Sequence, residues 1–148
     1  MFVQNKTAIG NIEFQNNKIM NILHIEDNEG ISEPIGIFLE SQGHKYESTT
    51  DGKNGLQLIR SNHYDIILLD LSMPGFSGFD VIDGLHRDGS ITNEKIVVLT
   101  ASVLTDEKML ELRAMGVHSS LGKPIIHSDL LKKLELIEKD HSIATNIQ

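Results

Sequence analysis

The sequence has 148 residues, 39% hydrophobic and 23% charged, a length and balance that suit one folded domain with its own core and exclude a disordered chain. The absence of cysteine removes disulfide frameworks, thiolate zinc sites and cysteine nucleophiles. A net charge of −8 with no local basic patch argues against direct nucleic-acid binding. The apolar runs are strand-sized and the first 20 residues lack a signal-peptide core, so no membrane contact is expected and a cytoplasmic protein fits.

Residues 1–19 are rich in Asn and Gln and show no period. Met20 stands directly before a strand-like run, so 1–19 are read as an extension upstream of the domain, or the product of a mis-called start codon. A first strand is expected over Ile19–Ile25, followed by the acidic pair Glu26-Asp27. Ile35, Phe38 and Leu39 mark one face of a first helix, and Gly43 its stop. Pro34 is tolerated only in a first turn, which predicts a late helix start near Ser32 and a longer loop before it.

A weaker strand covers His44–Thr49, and Leu56 and Ile59 mark a helix that ends near Asn62. Tyr64–Leu69 is almost continuously apolar, the pattern of a central parallel strand, and runs into Asp70. Phe79, Ile82 and Leu85 give the third helical face. Lys95–Leu99 is another buried strand, ending in Thr100. Met109, Leu112 and Met115 mark a fourth helix that Gly116 closes. A short strand near His118–Leu121 leads to Lys123-Pro124, and Leu130, Leu131, Leu134 and Ile137 form the stripe of a last helix. The domain is expected over 20–138, with 139–148 as a polar tail.

Strands alternating with helices imply a doubly wound parallel α/β sheet covered on both faces. Right-handed crossovers bring the carboxyl ends of the strands to one edge, where such sheets bind ligands. Here those ends carry Glu26-Asp27, Asp70, Thr100 and Lys123. Three carboxylates at one edge need a compensating charge, and Mg²⁺ takes one or two carboxylates while keeping several waters. Asp70 is then a carboxylate nucleophile for a phosphoryl group. The seven histidines are scattered without an i, i+4 pair, so each is read as a packed or surface residue.

The motifs in order resemble the response-regulator receiver domain of two-component signalling, in its stand-alone form. They are Glu26-Asp27, the run DLSMPGFSG from Asp70 to Gly78, Thr100-Ala101 and Lys123-Pro124. The resemblance covers roughly residues 20–138 and implies a flavodoxin-like fold of five parallel strands in the order 2-1-3-4-5. It implies Asp70 as phosphoacceptor, with Mg²⁺ held by Glu26, Asp27, Asp70 and the backbone carbonyl of Ser72. Thr100 matches the hydroxyl switch residue, and Lys123 the partner of the phosphoryl group before a cis Pro124.

The implied partners are a histidine kinase or histidine phosphotransfer protein and a downstream target protein. A homodimer through the fourth helix, fifth strand and fifth helix is a further implication. Ser120 departs from the family pattern, which has an aromatic residue there as the second half of the switch, and so a degenerate receiver that only docks or dimerises is the alternative. A haloacid-dehalogenase-like phosphohydrolase is disfavoured because Ser72 stands where a second Asp is required. The acidic turn Glu26-Asp27-Asn28-Glu29 speaks against a nucleotide-binding flavodoxin-like protein.

Overall fold

The computed structural model describes residues 18–147. The residues upstream, on which the start-codon reading falls, lie outside the described residues. Five strands alternate with five helices: β1 (Asn21–Ile25), α1 (Glu29–Ser41), β2 (Lys45–Thr49), α2 (Gly52–Ser61), β3 (Ile66–Asp70), α3 (Gly78–Arg87), β4 (Ile96–Thr100), α4 (Asp106–Met115), β5 (Ser119–Gly122) and α5 (His127–Ile147). A short 3₁₀ turn, Ser90–Asn93, precedes β4. All strand pairs are parallel, in the order β2-β1-β3-β4-β5. This is the doubly wound parallel sheet that the alternating pattern predicts, in the flavodoxin-like strand order that the resemblance implies.

Side chains alternate across a strand, so each central strand feeds two cores. Leu23, Ile25, Ile67, Leu69, Ile96 and Val98 pack with Ile59, Val81, Ile82, Leu85 and Leu112 of α2, α3 and α4. Ile22, Ile66, Leu68, Val97 and Leu99 pack on the other face with Ile35, Leu39, Leu130, Leu134 and Ile137 of α1 and α5. β3 and β4 are buried along their whole length, which is why their sequences read as unbroken apolar runs.

Three expectations need correction. α1 begins at Glu29, not near Ser32: the Asn28 side chain accepts the Gly30 N–H at 2.9 Å and caps the helix. Pro34 therefore lies inside the helix, and the loop beside the acidic pair is short. The carbonyl that Pro34 cannot serve belongs to Gly30, which is exposed and open to water. Phe79 is not on the inner face of α3 but 40% exposed, with the Lys108 ammonium 5.0 Å from its ring centre. At about 100° per residue, Phe79 lies to one side of Ile82, whereas Val81 and Leu85 lie to the other.

α5 does not stop at Glu138 but runs on through the polar residues to Ile147, since neither Gly nor Pro interrupts it. His118 Nε2 lies 3.1 Å from Asp140 in this later part. At the start of the described chain, the Lys18 N–H donates to Glu138 and its ammonium to Asp65, each at 3.1 Å.

Candidate functional site

Parallel strands present their carboxyl ends at one edge of the sheet, and the polar residues collect there. The Glu26 N–H donates to the Thr49 carbonyl at 3.0 Å, which prolongs the pairing of β1 with β2 by one residue. Glu26 thus continues the alternation of Ile22 and His24, and it is 1% exposed, whereas Asp27 next to it is open to solvent. Asp70, the last residue of β3, is 2% exposed. One carboxylate oxygen from each of Glu26, Asp27 and Asp70 lies within 4.8 Å of the others.

Lys123 follows β5 and reaches across β4 to this cluster. Its ammonium is 2.9 Å from Glu26 Oε1 and 3.2 Å from Asp70 Oδ1. The Lys123–Pro124 peptide is cis. The Ser72 N–H donates to the same Asp70 Oδ1 at 3.0 Å, and the Asn28 N–H donates to Glu26 Oε2 at 3.2 Å. Among the described residues no hydrogen bond or ion pair is made to Asp70 Oδ2. Glu26 Oε1 is buried without a properly directed hydrogen bond, so its contact with Lys123 is close in distance but poor in direction.

Burial pushes the Glu26 carboxyl above its ordinary range. Lys123 and the Asn28 N–H counter that rise only in part, and the Asp70 charge adds to it. Burial acts to lower Lys123, but its contacts with Glu26 and Asp70 outweigh burial and hold the ammonium above its ordinary value.

With the three carboxylates ionised, one ammonium leaves the cluster at −2. The donors are all hard oxygens, one of them a buried oxygen without a hydrogen bond and another, on Asp27, open to water. That set fits a divalent ion such as Mg²⁺.

Gly78 has a structural duty at this site. A Cβ there would collide with the Asp70 carbonyl, so only glycine lets α3 start so close behind the end of β3.

Thr100 stands at the end of β4, but among the described residues its side chain makes no hydrogen bond to a member of the cluster. Its hydroxyl donates to the Ser102 carbonyl at 2.8 Å and accepts the Ser102 N–H at 3.1 Å. Its backbone carbonyl accepts the Lys123 N–H at 2.8 Å. Thr100, Leu104, Met109, half-buried Ser120 and Lys123 line a cavity of about 400 Å³. Ser72 is exposed, and its described contact with the cluster is through its N–H.

Sequence reading missed one participant and one buried polar neighbour of the site. Asn28 both caps α1 and donates to Glu26, and an Asx residue before a helix was the available signal. His24 is 0% exposed in β1, directly below the cluster, and nothing in the scattered histidines singled it out.

A doubly wound parallel sheet with an acidic cluster and a lysine at its carboxyl edge defines the class as a receiver-type α/β domain. The chain belongs to the response regulator receiver domain family of two-component systems, which it matches over residues 22–135. It is 32% identical over 124 residues to the transcriptional regulatory protein DltR of Streptococcus agalactiae, covering 84% of this chain and 54% of that one. It is 35% identical to the cell cycle transcriptional regulator CtrA of Caulobacter vibrioides, covering 84% and 50%. The chain thus spans about half the length of these curated relatives.

Among solved structures it superposes on the chemotaxis protein CheY4 of Vibrio cholerae with a TM-score of 0.72 at 26% identity, covering 81% of this chain and 99% of that one. The receiver domain of a sensor histidine kinase from Pseudomonas aeruginosa shares the fold, with a TM-score of 0.68 at 24% identity over 80% of this chain and 96% of that one; that structure has magnesium in its cleft. Among the described residues no helix is long and apolar enough to cross a membrane.

Proposed function

We propose that this chain is a phosphorylation-dependent signalling switch in which Asp70 accepts a phosphoryl group from a phospho-histidine donor. The supporting observation is the meeting of Glu26, Asp27, Asp70 and Lys123 at one sheet edge, in a chain of the receiver family. Asp70 Oδ2 attacks the phosphorus, the bond from phosphorus to the donor atom breaks, and the leaving group takes up a proton. Asp70 becomes an acyl phosphate. The Ser72 N–H holds Oδ1 and so orients the carboxylate. Lys123 supplies a fixed positive charge for the phosphoryl oxygens.

Glu26, Asp27, Asp70 and the Ser72 backbone carbonyl are the residues that would hold Mg²⁺. That ion supplies charge neutralisation to the incoming phosphoryl group. The Thr100 hydroxyl must leave Ser102 to reach a phosphoryl oxygen, and that movement links chemistry to the loop before α4. The donor is a histidine kinase or histidine phosphotransfer protein in the cytoplasm. The changed face of α4, β5 and α5, where Leu110 is 69% exposed, meets the downstream target or a second copy.

Intact mass after incubation with acetyl phosphate tests this reading. The expected result is a single phosphoryl adduct that requires Mg²⁺ and is lost in Asp70→Asn. Persistence of the adduct in that variant refutes the assignment of Asp70.

A further inference from the structure

β5 offers α4 very little to pack against. Paired residues of parallel strands point to the same face, so Ser120 lies beside Val98 and Gly122 beside Thr100 on the face that α4 covers. A hydroxymethyl group and a hydrogen are all that the strand presents there. A Cβ added at Gly122 would meet no atom within 4 Å, and Ser120 is half-buried. The space left between β5, α4 and the loop that joins β4 to α4 is the cavity of about 400 Å³. Protein interiors are close-packed, so an opening of this size beside Thr100 leaves room for a side chain to enter.

The loop itself, residues 101–104, holds an apolar side chain that can do so. Leu104 is half-buried and packs against the core shared by α2, α3 and α4. Val103 lines the same cavity yet is 98% exposed. Ala101 and Ser102 are exposed and small. Val103 is thus the loop side chain whose apolar surface would leave water by turning inward.

One tie holds the loop as it is. The Thr100 hydroxyl donates to the Ser102 carbonyl at 2.8 Å and accepts the Ser102 N–H at 3.1 Å. Among the described residues, 101–104 make no other hydrogen bond. The far end is fixed separately: the Thr105 hydroxyl accepts the Lys108 N–H at 3.0 Å and caps α4. Release of Thr100 therefore frees the loop without unwinding the helix.

We propose that Val103 is the moving half of the switch in this chain: when the Thr100 hydroxyl leaves Ser102, the freed loop turns Val103 into the cavity, over Ser120 and Gly122 and against Met109. An exposed apolar side chain at the start of α4 becomes a buried one. The movement requires the small residues that β5 carries, because a larger side chain at position 120 would occupy the same space. The inference rests on Thr100 as the hydroxyl that changes partner.

The chain contains no cysteine, so Val103→Cys introduces a single thiol of apolar character, and its reaction with a maleimide reports its exposure. In the resting protein it should react at the rate of a free thiol. Acetyl phosphate with Mg²⁺ should slow the reaction about fivefold in the fraction whose intact mass carries the adduct, as for a loop closed about four-fifths of the time. Thr100→Val, added without phosphorylation, removes the tie and should slow it by a similar factor. Ser120→Leu, added to either, should restore the free rate, and melting curves confirm that each variant is folded.

Free-rate labelling of the phosphorylated fraction or of Thr100→Val overturns the proposal. So does slow labelling in the resting protein, or slow labelling that Ser120→Leu leaves unchanged. If no adduct forms while Thr100→Val protects the thiol and Ser120→Leu exposes it again, the functional reading fails and the coupling of loop to cavity stands. An adduct on a protein whose thiol stays open refutes the role of Val103 and leaves the functional reading in place.

Discussion

Lys123 reaches from the end of β5 over β4 to Glu26 and Asp70, while Thr100, at the end of β4 itself, turns its hydroxyl onto the backbone of its own loop. The two halves of one sheet edge are thus built differently. The half made by β1, β3 and the lysine after β5 holds the buried carboxylates Glu26 and Asp70 and is tied together by charge. The half around Thr100 and Ser120 borders the cavity that Lys123 also lines, and among the described residues its side chains make no hydrogen bond or ion pair to the carboxylates. On the proposed reading, the difference separates what must be in place before phosphoryl transfer from what moves after it. A cluster of charges has to be preorganised to act on a transition state. A hydroxyl that reports the outcome has to be free to change partner.

Removing Lys123 should break the first half most severely. Lys123→Met leaves two buried carboxylates facing one another without their cation. Breaking a buried pair in this way costs about 3–5 kcal/mol, and loss of a charge-stabilising donor costs roughly a hundredfold in rate. Thermal melts in metal-free buffer and initial phosphorylation rates read both, and Mg²⁺ should restore part of the stability. Gly78→Ala comes next. Its methyl collides with the Asp70 carbonyl, so α3 or the end of β3 must shift, at about 1–3 kcal/mol in chemical denaturation and with slower phosphorylation.

Glu26→Gln gives a smaller effect of opposite sign. The Glu26 carboxyl lies above its ordinary range in the fold, so the folded protein holds that proton more tightly than the unfolded chain. Stability in metal-free buffer therefore falls as pH rises from the unfolded value of this carboxyl through its folded one. The neutral variant should melt above wild type at neutral pH, and the gap should close below the unfolded carboxylate range. Added Mg²⁺ should raise wild type more than the variant. Thr100→Ala should change least at the site. It loses the bonds to Ser102, worth about 1 kcal/mol in denaturation, and keeps the adduct-forming rate within about threefold. A larger drop in rate would mean that the two halves are not separate in the way the hydroxyl geometry indicates.

The same contrast governs what the sequence discloses. Runs such as Ile66–Asp70 and Ile96–Thr100 announce buried parallel strands because both of their faces meet helices, and the polar residue that ends each run announces the edge. The acidic pair, Asp70 and Lys123 were therefore legible by position. The direction of the Thr100 hydroxyl was not, because it depends on a loop carbonyl two residues away. The start of α1 was misread because a cap by Asn28 outweighs a proline whose unserved carbonyl faces water. His24 was illegible for a related reason. A histidine inside a strand looks like any tolerated core residue until Tyr46, from another element, is seen to meet its ring.

The most direct test of the central claim locates the phosphoryl group itself. Borohydride reduction of the acetyl-phosphate-treated protein converts an acyl phosphate to an alcohol, and peptide mass spectrometry then finds the altered side chain. Reduction at Asp70 alone, dependent on Mg²⁺, is the result predicted here. Reduction at Glu26 or Asp27, or none at Asp70 when an adduct is present in the intact mass, would contradict it.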